Sequence, residues 1–99
     1  MGHKVIWTDE AIADLRQLVA FISNDNPAAA VKLGETLIQK SMMLAAHPRL
    51  GRRLRDSRKD ALRELIVPPY RLIYEIEDVA SSVYIRVLWH GARPEPEIR

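Results

Sequence analysis

Four residues near the end of the sequence carry side chains that could bind phosphate or move a proton. Arg71 and Glu75 lie in the stretch 70–77, and Arg86 and His90 lie in the stretch 83–90. Guanidinium groups bind phosphate or carboxylate, and a histidine can transfer protons near neutral pH. His90 is therefore the first candidate for acid–base catalysis, with Glu75 as its orienting carboxylate or as the base. A structural or surface role for a lone histidine is the simpler alternative.

Alternating hydrophobicity predicts strands at 62–67, 70–77 and 83–90. One face should lie against the core, and Trp89 should pack there with Leu72, Tyr74, Ile76, Val83, Ile85 and Val87. The other face should carry Arg71, Ile73, Glu75, Tyr84, Arg86, Leu88 and His90. Such a mixed face could bind an extended polyanion or a peptide. It could equally be a solvent-facing sheet surface with cross-strand Arg–Glu pairs.

The first half of the sequence predicts one short strand and two helices. Residues 4–7 are typical of a strand, and Thr8 is a suitable N-cap for a helix over 9–24. Asn26 and Pro27 indicate the start of a second helix, over 27–47. Because the connection between the two apolar-striped helices is short, we expect an antiparallel helical hairpin.

The order of these elements predicts a single α+β domain over residues 1–99. The N-terminal strand and the helical hairpin should pack with a three- to four-stranded antiparallel sheet, the hairpin covering one face. The other face is then left for solvent or a partner. Residues 49–61 are expected to form an irregular basic loop, and residues 91–99 a tail.

Charge and composition restrict the function classes. The net charge of +2 is uneven, because residues 49–63 hold seven basic and two acidic side chains. That excess could attract a polyanion or an acidic partner, or simply form a solvated loop. The chain has no cysteine, and neither a metal site nor a cofactor motif is evident. No apolar stretch has the length of a signal or membrane segment, so we expect a soluble, cytoplasmic protein.

Several short fragments, taken in order, resemble the ParE/RelE toxin superfamily over about residues 4–93. They are Val5-Ile6-Trp7-Thr8, Asn26-Pro27, His47-Pro48-Arg49-Leu50-Gly51-Arg52, Leu62-Arg63-Glu64-Leu65, Tyr70-Arg71-Leu72-Ile73-Tyr74-Glu75 and Val87-Leu88-Trp89-His90-Gly91-Ala92-Arg93. Each fragment alone is weak, whereas their order and spacing together are specific. The resemblance implies the same helical hairpin and sheet.

The resemblance also implies a growth-arresting, plasmid-stabilisation type toxin of a type II toxin–antitoxin system. Its partner would be a cognate antitoxin that wraps the helices and the sheet, giving a hetero-oligomer. The expected antitoxin-binding residues are Leu18, Ile22, Leu33, Leu37, Arg71 and Ile73.

Two targets are compatible with the superfamily. ParE-like members poison DNA gyrase and are not enzymes, whereas RelE-like members cleave messenger RNA on the ribosome without a metal. In the second case His90 and Glu75 would be catalytic. We favour the ParE-like branch, because no aromatic residue follows His90 and Lys59 is the only lysine after Lys40. A degenerate member that only binds its antitoxin is a third option. The expected target- or phosphate-binding residues are Arg52, Arg53, Arg63, Arg71, Arg86 and Arg93.

Overall fold

The computed structural model describes residues 2–54 and 59–90 and has the predicted α+β architecture. Strand β1 is followed by two helices, α1 and α2, and by a 3-10 turn. Four further strands complete the described chain. The bounds are β1 Lys4–Trp7, α1 Asp9–Ser23, α2 Pro27–Met42, the 3-10 turn Met43–Ala45, β2 Arg52–Arg53, β3 Leu62–Val67, β4 Tyr70–Glu77 and β5 Ser82–His90. The predicted tail, 91–99, and residues 55–58 of the predicted basic loop lie outside the described residues.

Both helices begin at the predicted capping residues. The Thr8 hydroxyl accepts a hydrogen bond from the Ala11 N–H at 3.3 Å and donates one to the Ile85 carbonyl at 2.7 Å. The Asn26 side chain accepts from the Ala29 N–H at 3.0 Å. Each cap satisfies a backbone donor that has no partner within its helix. Thr8 therefore starts α1 and also anchors that start to β5.

The second helix is shorter than predicted. It ends at Met42 rather than at residue 47, and its last part tightens into the 3-10 turn Met43–Ala45. The Ser41 hydroxyl donates to the Ile38 carbonyl at 2.7 Å and accepts from the Trp7 indole N–H at 3.0 Å. A side chain that bonds a carbonyl of its own helix competes with the regular pattern, and helices commonly finish in such a tighter turn.

The sheet has five strands in the order β1-β5-β4-β3-β2, and it is mixed. Strands β2 to β5 are antiparallel neighbours, whereas β1 runs parallel to β5, with Lys4 opposite Ser82 and Trp7 opposite Ile85. The expectation of an antiparallel sheet was therefore wrong for β1. Strand β2 has only two residues, inside the stretch predicted to be an irregular loop.

The hairpin covers one face of the sheet, with α1 against β5 and α2 against β3. The core lies between them and contains Ala11, Leu37, Leu44, Leu72, Tyr74, Ile76, Val83, Ile85 and Leu88. Val5, Trp7, Leu15 and Leu33 pack around this cluster while remaining partly exposed. The opposite face of the sheet, which we call the open face, carries no helix of the described chain.

A β-bulge in β5 exchanges the faces of the last four described residues. Tyr74 pairs with Ile85 but Ile73 pairs with Val87, so Arg86 is an extra residue in β5. Successive strand residues point to opposite faces, so one inserted residue reverses all that follow. Leu88 and His90 thus lie on the helix side, and Val87 and Trp89 lie on the open face. The predicted faces of these four residues were wrong.

Candidate functional site

A nearly buried carboxylate organises the open face. Glu64 on β3 is only 3% exposed and lies between two arginines. Its carboxylate accepts from Arg52 Nε at 2.5 Å, and its second oxygen lies 3.5 Å from Arg71 Nη1. A carboxylate removed from water is stable only when paired and hydrogen-bonded. Glu64 therefore holds two of the predicted phosphate-binding arginines in fixed positions.

Arg71 also contacts Trp89 on the same face. The guanidinium carbon lies 5.4 Å from the centroid of the indole ring, within the range of a cation–π interaction. The two residues are direct partners across β4 and β5. The indole N–H of Trp89 is buried and has no hydrogen-bond partner within the described residues. Arg52, Glu64, Arg71 and Trp89, which we call the arginine platform, form one continuous group.

Sequence reasoning missed Glu64, although a signal for it was present. Pro68 and Pro69 leave a two-residue connection that places Val67 opposite Tyr70 and Glu64 opposite Ile73. That register puts Glu64 diagonal to Arg71 on one face, where side chains interact across strands. Placing the hairpin turn at the two prolines would have predicted the contact between Glu64 and Arg71.

Arg86 and Glu75 form a second pair on the open face. Arg86 Nη1 lies 2.6 Å from Glu75 Oε1, and both side chains are about a quarter to a third exposed. The Glu75 carboxylate is thus engaged by a guanidinium. This contact matches the simple alternative of cross-strand Arg–Glu pairing.

The structure does not bring Glu75 and His90 together. Tyr70 is the partner of His90, and Glu75 lies five residues further along β4. At a rise of roughly 3.4 Å per residue, this offset is about 17 Å. The His90 ring instead meets the Tyr70 ring edge-on, with the centroids 5.5 Å apart. His90 and Arg71 lie on opposite faces of the sheet, so the candidate catalytic residues, His90 and Glu75, and the candidate phosphate-binding Arg71 do not form one site.

On the helix side, His90 lines a groove between α1 and the end of β5. The residues that line it are Asp14, Gln17, Leu18, Phe21, Ile22, Tyr70, Val87, Leu88, Trp89 and His90. The Asp14 carboxylate reaches across and accepts a hydrogen bond from the Leu88 N–H at 3.1 Å. Phe21 stands 74% exposed beside it. The groove, which we call the α1–β5 groove, offers an apolar surface with few charges.

The loop that follows the 3-10 turn is tied to the sheet by a phenol. The Tyr74 hydroxyl accepts from the Gly51 N–H at 2.9 Å and donates to the Pro48 carbonyl at 2.7 Å. Burial raises the pKa of Tyr74. A neutral phenol can serve as donor and acceptor at once, as both contacts require. Residues 48–51 are thus held against β4.

Around this loop, Arg49, Asp60, Arg63, Asp78 and His3 form a hydrogen-bonded network of ionisable side chains. Asp60 accepts from Arg49 at 3.1 Å and from Arg63 at 2.7 Å, and Asp78 contacts Arg49 and His3, each at 3.0 Å. Arg63 also donates to the Gly51 carbonyl at 2.9 Å. Its side chain is only 12% exposed. Arg63 therefore takes part in this network, and its role in binding a target or phosphate stays a prediction.

The network makes acid stability depend on two carboxylates. Hydrogen bonding to Arg49 lowers the pKa of both Asp60 and Asp78, with Arg63 and His3 respectively contributing to the effect. An aspartate in the unfolded chain has a pKa of about 3.9. The unfolded state therefore binds protons first as pH falls. The stabilisation is complete above about pH 4 and is lost as pH drops through the lower, folded-state values.

We expect Asp78→Asn to reduce the dependence of the unfolding free energy on pH at acid pH, measured by urea unfolding between pH 2 and 6. Glu35→Gln, on the exposed side of α2, is the matched control and should leave that slope unchanged. Because the pairs are exposed, 1 M salt should reduce the difference. An identical acid slope for Asp78→Asn and the unsubstituted protein would contradict the role of the network.

Comparisons with known proteins assign the chain to a family. The sequence family described as the ParE toxin of the type II toxin–antitoxin system parDE matches residues 5–94 of this chain. The chain belongs to the ParE toxin family. Toxin RelE2 of Caulobacter vibrioides is 35% identical over 91 residues, which are 91% of this chain and 97% of that toxin. The chain is therefore a toxin component of a type II toxin–antitoxin system within the ParE/RelE superfamily.

Solved structures agree with this ParE/RelE assignment. The RelBE2 toxin–antitoxin complex of Mycobacterium tuberculosis contains a chain that is 25% identical, with a TM-score of 0.68 over 91% of this chain and 99% of that one. A chain of the chromosomal ParDE system of Pseudomonas aeruginosa is 19% identical, with a TM-score of 0.73 over 89% of this chain and 95% of that one. The second likeness is one of fold. A cognate antitoxin is the partner that these findings support.

The toxin's expected antitoxin-binding residues have different exposures. Leu18 and Ile22 line the α1–β5 groove and are accessible. Leu33 is partly buried, whereas Leu37 and Ile73 are completely buried in this structure. These last two therefore offer no free surface. Exposed apolar side chains of the two helices and the 3-10 turn that were not predicted as contacts are Phe21, Val31, Ile38, Met42 and Met43.

The four remaining predictions concern Arg53, Arg93, a metal site and a membrane span. Arg53 is exposed near Asp60, at 4.0 Å, and Arg93 lies outside the described residues. Within residues 2–54 and 59–90, no three His, Asp or Glu side chains are grouped as a metal ion would require. The helices of the same residues are too short or too polar to cross a lipid bilayer.

Proposed function

We propose that this toxin arrests growth by binding DNA gyrase and trapping it on cleaved DNA, without being an enzyme itself. The observation that carries the proposal is the separation of the candidate catalytic groups. Glu75 is paired with Arg86, His90 lies about 17 Å along the sheet from Glu75, and Arg71 points from the opposite face. General acid–base catalysis needs groups within hydrogen-bond reach of one reacting centre. Membership of the ParE family supports the same choice.

The docking surface in this proposal is the open face around the arginine platform, with the basic loop and the C-terminal strand. Arg52 and Arg71 outnumber Glu64, so the platform keeps a positive charge. Trp89 and the half-exposed Ile66 supply apolar surface beside these charges. Aromatic and arginine side chains are the commonest energetic centres of protein interfaces.

The antitoxin should bind elsewhere on the molecule as well. We propose that its C-terminal segment occupies the α1–β5 groove against Leu18, Phe21 and Ile22, and reaches Arg71 around the sheet. Binding to the folded toxin alone would stabilise it by mass action. Co-expression of the neighbouring small gene is expected to restore growth, and failure of both neighbouring genes to do so would contradict this scheme.

The experiment that tests the gyrase proposal uses purified toxin with gyrase and supercoiled DNA. We expect linear DNA on addition of detergent and protease, and we expect His90→Ala to remain as toxic as the unsubstituted protein. Arg71→Ala should lower toxicity at least tenfold, whereas Arg16→Ala, on the exposed side of α1, is the matched control. Loss of toxicity in His90→Ala, with folding and antitoxin binding intact, would count heavily against the proposal.

Ribosome-dependent cleavage of messenger RNA is the second candidate, because the 35% identical relative is named Toxin RelE2. On this alternative, both Arg71→Ala and His90→Ala should slow cleavage by orders of magnitude, since a transition state would lose charge stabilisation and proton transfer. Mapping of transcript ends after induction distinguishes the two. Intact transcripts together with gyrase-linked DNA breaks would eliminate the nuclease.

A further inference from the structure

The side-chain pattern of β5 does not by itself decide which face its last residues occupy. Val87, Leu88 and Trp89 are all apolar. Either Leu88 or its two neighbours, Val87 and Trp89, could therefore face the core. Register is weakly specified where both faces of a strand accept apolar residues. Without the bulge at Arg86, the pairing of Tyr74 with Ile85 would continue to Leu72 with Val87 and to Tyr70 with Trp89. A contact from outside the strand can therefore decide between the two registers.

The selecting contact should lie on the free edge of β5. Strand β1 ends opposite Ile85, and the Ile85 carbonyl is bonded by the N–H and the hydroxyl of Thr8. Beyond that point no described strand pairs with this edge of β5. The Leu88 N–H points out of this edge, and the Asp14 carboxylate accepts its hydrogen bond at 3.1 Å. Asp14 stands where the next strand would otherwise be.

We infer that Asp14 is a positioning residue that fixes the bulged register of β5. In this register the N–H that faces α1 belongs to Leu88. In the register without the bulge, the outward N–H groups would belong to the odd-numbered residues, and Leu88 would turn toward β4. A carboxylate fixed on a helix cannot follow that shift along the strand. A hydrogen bond to an ionised acceptor is also stronger than one between neutral groups.

The consequence concerns the surface assigned above to target binding. Asp14 bonds to the backbone of Leu88, and by fixing the register it places Trp89 on the open face beneath the Arg71 guanidinium and turns His90 toward Tyr70. The functional part of this inference rests on the proposed docking role of the open face. The structural part is independent of it.

Two reporter pairs measure the register directly. The sequence contains no cysteine, so an introduced pair is the only possible disulfide. Tyr70→Cys with His90→Cys reports the bulged register, and Tyr70→Cys with Trp89→Cys reports the register without the bulge. Directly opposed strand residues have Cα atoms roughly 4.5–5.5 Å apart, within the range that a disulfide spans. Each reporter is built in the full chain and oxidised mildly, and closure is followed by mass spectrometry.

In the protein that keeps Asp14, the disulfide between positions 70 and 90 should form at least about tenfold faster than the disulfide between positions 70 and 89. Asp14→Ala should reduce that ratio about tenfold or more, as expected for the loss of a hydrogen bond to a charged group. Asp14→Asn keeps an acceptor oxygen and should retain most of the preference. Glu10→Ala, on the same helix, is the matched control and should leave the ratio unchanged. An unchanged ratio in Asp14→Ala would overturn the inference.

Amide exchange of the unsubstituted protein gives a second measurement, which applies even if Asp14→Ala does not fold. The Leu88 amide should exchange at least about tenfold more slowly than in the unfolded chain, and exchange at the unfolded rate would overturn the inference.

Toxicity of Asp14→Ala distinguishes the role of Asp14 from the docking role of the open face. A shifted disulfide ratio with full toxicity supports the role of Asp14 and refutes the docking role of the open face. A shifted ratio with reduced toxicity supports both.

Discussion

Replacement of Gly51 by alanine is expected to destabilise the protein by about 3 kcal/mol, a large fraction of the stability of a small domain. A Cβ atom at this position would lie 2.4 Å from the Glu64 carbonyl oxygen and 2.7 Å from the Tyr74 hydroxyl. The first of these atoms belongs to the backbone of β3, which cannot move without disturbing its pairing with β4. The added methyl group would also separate the Gly51 N–H from the phenol that binds it.

Gly34→Ala is the matched control for this substitution. Gly34 lies inside α2, and a Cβ there would meet Val19 Cγ2 at an ordinary 3.5 Å. Alanine is the better helix former, so Gly34→Ala should stabilise the protein by roughly 0.5–1 kcal/mol. Thermal and urea unfolding of both variants would measure the contrast. A Gly51→Ala protein as stable as the unsubstituted one would show that the loop at residues 48–51 is free to move away from the sheet.

Glu64→Ala should destabilise the protein by about 2 kcal/mol, the second largest effect that we expect from a single side chain. The change removes the carboxylate that Arg52 and Arg71 share and leaves two like charges on one face of the sheet. Loss of one partner from a fully buried ion pair costs more, about 3–5 kcal/mol. The exposure of the two arginines, 63% and 31%, lets water solvate them and reduces the effect.

Glu75→Ala is the corresponding control on the same face. Its carboxylate is 24% exposed and pairs with Arg86, and exposed ion pairs contribute at most about 1 kcal/mol. Urea unfolding measures both variants. Tryptophan fluorescence should change in Glu64→Ala because Arg71 would lose the partner that holds it over Trp89. Equal destabilisation by the two substitutions would argue that burial does not distinguish these carboxylates.

Much of the fold could be predicted because local chemistry determines it. Thr8 and Asn26 can cap a helix through their side chains, and these residues begin the helices that the sequence predicts. The alternation in 70–77 likewise places Leu72, Tyr74 and Ile76 in the core. The parallel pairing of β1 with β5 was not predictable in this way. It joins residues from opposite ends of the sequence, and no local pattern encodes that pairing.

The candidate site was predicted less completely, and the reason lies at Arg86. An extra residue in a strand leaves no signature when the residues after it are apolar on both faces, as Val87, Leu88 and Trp89 are. The predicted meeting of Arg71 with His90 depended on regular alternation through that point. The Arg71–Glu64 contact, in contrast, depends on the short connection at Pro68 and Pro69. A correct register drawn from those prolines would have revealed it.

The position of β1 has a consequence for synthesis on the ribosome. Its first residue in the sheet, Lys4, pairs with Ser82, so the N-terminal strand emerges long before its partner exists. The helical hairpin makes local contacts and can form early, but closing the sheet must wait for the last described strand. A nascent chain therefore lacks the surface formed by β4 and β5 until β5 has been synthesised. If the open face binds the target as proposed, a copy released before β5 is made should not be toxic.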